Sequence, residues 1–215
     1  IAGKISDIVF KINALCNIAD AVPAANTAKI NELMTRSEDL ANAIENPENK
    51  TYALIKVAQV TTKTSQEKAA GIYDQAIESA GKMDNSSQAY SELAAGVITV
   101  NYEKALSLIP KMTDDWRKSD TIGNMAREAV KFDPIPAMDV IEKLIQSADT
   151  NITELDYKTS AYAGIAVSLA TINLDKAMEL INKIESGWKK SNALFDMAIE
   201  LSKTNFDKAI EVINT

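Results

Sequence analysis

Ser191-Asn192-Ala193-Leu194-Phe195-Asp196-Met197-Ala198 leads, after a short polar turn, into Asn205-Phe206-Asp207-Lys208-Ala209-Ile210. Thirty-two residues earlier stands Thr159-Ser160-Ala161-Tyr162-Ala163-Gly164-Ile165-Ala166, followed by Asn173-Leu174-Asp175-Lys176-Ala177-Met178. The chain therefore carries an internal repeat, and the repeat decides the fold class. Taking Ser191 as an anchor and working backwards places equivalent anchors at Ile12, Thr51, Ser87, Ser119 and Thr159. Six repeats result, starting near 12, 51, 87, 119, 159 and 191, in one helical-repeat domain over 1–215.

The same offsets hold throughout. Seven residues beyond each anchor is alanine: Ala19, Ala58, Ala94, Ala126, Ala166 and Ala198. Large apolar residues mostly occupy offsets 3, 6 and 10, which with 7 form one helix face. An alanine at every equivalent place predicts that two helices approach closely there. At offset 14 stand Asn26, Ser65, Asn101, Asp133, Asn173 and Asn205, residue types that cap a helix N-terminus. A second helix follows, with Ile30, Ala69, Ala105, Ala137, Ala177 and Ala209 on its inner face. Four residues further come Met34, Tyr73, Ile109, Ile141, Ile181 and Ile213. The prolines of Asp133-Pro134-Ile135-Pro136 fit a first helical turn, where no amide is needed.

The anchor spacings are 39, 36, 32, 40 and 32. Surpluses over 32 fall after the core of the second helix and are close to whole helical turns, which lengthen a helix without rotating its apolar face. The first repeat predicts a second helix from about Ala28 to Ile44. In the fourth, Ala148-Asp149-Thr150-Asn151 is turn-like and predicts a loop.

Composition narrows the function. The net charge of −7 argues against nucleic acid and anionic membrane surfaces. No apolar run is long enough to span a bilayer. The chain has one cysteine, Cys16, and no histidine, which excludes disulfide frameworks, Cys/His metal sites and histidine acid–base catalysis. Asp114-Asp115 and Glu38-Asp39 read as solvated or capping carboxylates rather than an acid–base pair. Three sequons, beginning at Asn49, Asn85 and Asn151, matter only for an exported protein. No catalytic residue, cofactor or metal is expected, and the expected location is cytoplasmic. Trp116 and Trp188 occupy equivalent places, and their equivalence predicts packing where one repeat joins the next.

These offsets resemble the tetratricopeptide repeat. Leu194, Met197, Ala198, Leu201, Ala209 and Ile213 fall on its pattern, as do Tyr90, Leu93, Ala94, Val97, Ala105 and Ile109. The departures are alanine for the family's small glycine, a shorter inter-helix turn, a variable period and no closing proline. The resemblance implies an all-α, α/α superhelix, a solenoid of about six antiparallel helix pairs. Its first helices would line a concave groove that holds a peptide or helix of a partner protein. Carried over residue by residue, groove positions lie 1, 4, 8, 11 and 12 beyond each anchor. The residues expected to bind are Ile55, Gln59, Ser91, Ile98, Arg127, Val130, Lys131, Val167, Phe195, Ile199 and Lys203. The apolar ones among them either bury against neighbouring first helices or form a sticky surface. The Lys/Asn cluster with which some family members clamp a C-terminal carboxylate is missing.

A second reading is a structural spacer or self-assembling segment of a larger protein. Ile1, Ile5 and Ile8 continue the spacing of a second helix, so 1–11 is expected to end a preceding helix. The last copy stops at Thr215, and solenoid ends usually carry polar caps. Further chain or a second subunit is therefore expected to cover at least one end.

Overall fold

The structure is a computed structural model that describes residues 7–23, 25–131 and 134–214, the side chains of 134–136 excepted. The expected features at Ile1, Ile5, Asp133 and Thr215 lie outside these residues, as do the side chains of Pro134, Ile135 and Pro136. Among the described residues the fold is all-α: twelve α-helices, one 3-10 turn and no strand.

Two compact units divide the chain, Ile1–Asn101 and Tyr102–Thr215. The first holds α1 (Ile8–Ala21), α2 (Thr27–Asn42), α3 (Pro47–Thr61), α4 (Gln66–Ala80) and α5 (Ser87–Val97). In it α1 packs on α2 and α3, and α3 packs on α4 and α5. The second holds α6 (Tyr102–Leu108), a 3-10 turn (Ile109–Lys111), α7 (Asp115–Ala129), α8 (Pro134–Asn151), α9 (Leu155–Leu169), α10 (Leu174–Asn182), α11 (Gly187–Ser202) and α12 (Phe206–Ile213). Here α7 packs on α8 and α9, α9 on α10 and α11, and α11 on α12. In each unit, then, helices alternate between chain neighbours and a contacting series: α1, α3 and α5 in one, α7, α9 and α11 in the other.

The alanine column explains this packing. Ala19, Ala58, Ala94, Ala126, Ala166 and Ala198 are all buried. So are Leu54, Val57, Leu93, Ile122, Met125 and Ile165 on the same faces, each adding about 1.5–3 kcal/mol of apolar burial. The second-helix column Ile30, Ala69, Ala105, Ala137, Ala177 and Ala209 is buried as well. Ile18 and Ile213 depart from the register and are exposed. They lie on α1 and α12, which among the described residues contact a neighbouring helix pair on one side only.

Capping follows the sequence in part. Ser65, Asn173 and Asn205 accept hydrogen bonds from the amides of Lys68, Lys176 and Lys208 at 3.1, 3.0 and 3.1 Å. Asn26 makes no such side-chain bond. Two expectations need correction. Residues 8–11 form the first turn of α1 itself, not the end of an earlier helix, because Asp7 caps them by accepting from the amides of Val9 and Phe10. Residues 148–151 are not a loop, because α8 runs on to Asn151. Thr150 and Asn151 turn their side chains back onto the carbonyls of Gln146 and Ser147, and Ala148 and Ile152 are buried. Turn-forming side chains are thus satisfied inside the helix, and burial holds its last turn.

Candidate functional site

The site rests on how closely α7, α9 and α11 approach. Gly123 of α7 faces Gly164 of α9, and a Cβ on Gly164 would lie 3.0 Å from the Gly123 Cα. The crossing is tight enough to require glycine at position 164. Beside it, α7, α9 and α11 enclose an open cleft of about 290 Å³. Arg127 and Val130 form the α7 wall. Val167, Ser168 and Thr171 form the floor, from α9 and the turn after it. Asp196, Ile199 and Glu200 form the α11 wall.

Four of the predicted groove residues, Arg127, Val130, Val167 and Ile199, therefore come together in one cavity. Arg127 is exposed, and its Nη1 donates to Asn124 Oδ1 at 2.8 Å. Lys203 pairs with Glu200 at 2.7 Å and Lys131 with Glu128 at 2.6 Å, so both predicted lysines are held by neighbouring carboxylates, and neither lines the cleft. Phe195 is 61% exposed but does not line the cleft. The sequence reading missed Ser168, Thr171, Asp196 and Glu200. The only signal for the two acids was their place one residue on from the groove offsets 4 and 8.

In the first unit, Ile55 and Ile98 are buried, at 3% and 1% exposure, so neither offers a surface to a ligand. Ile55 sits on α3, which is flanked by both α1 and α5, and the apolar side chain is absorbed by that packing. Gln59 is exposed and Ser91 half-buried. Lys63 pairs with Asp20 at 2.6 Å across α1 and α3, and holds that carboxyl below its ordinary value.

The tryptophans also need correction. Trp116 and Trp188 do not pack at joins between repeats; they are 47% and 74% exposed. Each lies in the first turn of its helix. The Arg117 guanidinium stacks 4.3 Å from the Trp116 ring centroid. Trp116, Tyr157, Asp120 and Asn124 border a second hollow of about 310 Å³, floored by Gly123 and Gly164. Arg127 lines both hollows, so they adjoin at its side chain.

Asp115 fixes this arrangement. Its Oδ2 accepts from the Thr153 amide at 2.7 Å, the Thr153 hydroxyl at 2.7 Å and the Glu154 amide at 2.9 Å. Lys118 donates to its Oδ1 at 2.9 Å. The carboxylate thus caps the start of α9 from the first turn of α7, and the Lys118 bond, first, and these donors hold it well below the usual carboxylate range. Asp115→Ala is expected to cost about 2 kcal/mol in urea unfolding. Because the folded value is depressed, the contribution is complete above the ordinary aspartate pKa of about 3.9. The gap between variant and parent should therefore narrow as pH falls below it.

Cys16 is buried, and burial pushes its thiol up to about 11, leaving little thiolate near neutral pH. Among the described residues no cluster of carboxylate or cysteine side chains could hold a metal ion. No helix there is long and apolar enough to cross a membrane.

No protein-family model and no curated protein matches the chain. Among solved structures it is similar to the crystal structure of Ton1535 from Thermococcus onnurineus NA1, with a TM-score of 0.51 and 16% identity over 99% of this chain and 69% of that one. At that identity the likeness concerns the fold alone.

Proposed function

We propose that the chain is a non-catalytic binding module, a tetratricopeptide-like solenoid of about six helix pairs, whose α7–α9–α11 cleft holds a peptide of a partner protein. The repeat register, the buried alanine columns and the serial contacts of alternate helices support the solenoid. One observation carries the function: Arg127, Val130, Val167 and Ile199, from three successive repeats, line one open cleft. Apolar side chains bordered by charge in an open trough suit a short peptide, with apolar contacts for affinity and polar ones for register.

Selection of a random peptide display library on the immobilised protein tests this. Binders should emerge, and Arg127→Glu with Ile199→Glu should weaken them at least tenfold while leaving the thermal unfolding curve unchanged, since both side chains are exposed. Binders indifferent to both substitutions would remove the cleft from the account. A second reading, a self-associating spacer, is favoured by the exposed stripe Phe206, Ile210 and Ile213 on α12. It predicts no cleft-dependent binder.

A further inference from the structure

The charge around the cleft is not uniform. Its α7 wall carries Arg127, its α11 wall carries Asp196 and Glu200, and Val130, Val167 and Ile199 are apolar. The Asp196 side chain makes no hydrogen bond or ion pair with another described residue. The partners of the other two are easily exchanged. Arg127 bonds a neutral amide, and Glu200 holds Lys203 in an exposed i,i+3 pair of the kind that contributes little.

The cleft is an open trough of about 290 Å³, so its occupant lies along it and meets both walls. Two interaxial steps of about 8–10 Å separate α7 from α11, and the charged side chains reach inward from both. In an extended segment residues i, i+2 and i+4 point to one side and span about 13 Å.

Resting on the groove reading above, we propose that the cleft selects an extended peptide with an acidic residue, an apolar residue and a basic residue at i, i+2 and i+4. The acidic group meets Arg127, the apolar side chain lies on Val130, Val167 and Ile199, and the basic group meets Asp196 and Glu200. For such a peptide the charges fix the chain direction, and the reversed sequence, basic at i and acidic at i+4, fits in the opposite direction.

Three synthetic peptides decide it by fluorescence polarisation: acetyl-GGESLSKGG-amide, acetyl-GGESLSEGG-amide and acetyl-GGKSLSKGG-amide, each carrying a dye. The mixed-charge peptide should bind the wild-type protein at least tenfold tighter than either of the others. Arg127→Glu should make the doubly basic peptide the best ligand. Asp196→Lys with Glu200→Lys should make the doubly acidic one the best. Equal binding of all three, lost on Ile199→Glu, would overturn the charge assignment and leave the groove standing. Binding that ignores Ile199→Glu, or none to any of the three, would overturn both.

Discussion

Tyr73→Ala is expected to lower stability by about 3–5 kcal/mol, read from urea unfolding followed by circular dichroism. Tyr73 is fully buried on α4, and burial pushes its phenol up to about 12. Its ring lies against α5 at Gly96, where a Cβ would run into the Tyr73 hydroxyl and come within 2.8 Å of Cζ. The glycine thus makes room for the ring, and the ring is the large side chain by which one helix pair rests on the next. Removing it leaves a cavity in the buried interface between α4 and α5. Gly96→Ala should destabilise through overpacking, by about 1–3 kcal/mol. Combining it with Tyr73→Phe, which deletes the nearest atom, should recover part of that loss.

Gly164→Leu should cost about 3 kcal/mol and abolish peptide binding together. A β-carbon at Gly164 already lies 3.0 Å from the Gly123 backbone, which cannot yield as the tip of a side chain can. The helices must part, and the spacing of α7 and α9 sets the shape of the cleft beside them. Gly123→Ala is the control. Its Cβ would stand 3.6 Å from the Gly164 Cα, an ordinary contact. The helix propensity of alanine over glycine then stabilises by up to about 1 kcal/mol, with binding kept. Equal effects at the two glycines would refute the close crossing.

The helices and their contact faces could be read from the chain because one residue type recurs at one offset. Ala126 and Ala166 announce a close approach wherever they stand, and both are buried. The Gly123–Gly164 crossing could not be read that way. The two glycines occupy offsets 4 and 5, so laying the repeats over one another separates the very residues that meet. Groove positions were legible only where the packing leaves them open. Arg127, Val130, Val167 and Ile199 reach the cleft, whereas Ile98, at the same offset as Val130, and Ile55, at another groove offset, are absorbed by the core. The difference lies in the neighbouring helices, which no single offset records. Asp115 shows the same limit. Its acceptors' partners, Thr153 and Glu154, lie in the turn before α9, and nothing local in Asp114-Asp115 points there.

The central claim is that peptides are held between α7, α9 and α11. Methyl NMR of protein labelled at isoleucine and valine, titrated with a peptide selected by display, tests it most directly. The methyl signals of Val130, Val167 and Ile199 should shift together and saturate at one stoichiometry, while those of buried Ile55 and Ile98 stay in place. Shifts centred on Ile210 and Ile213, with Val130 and Val167 unmoved, would contradict it.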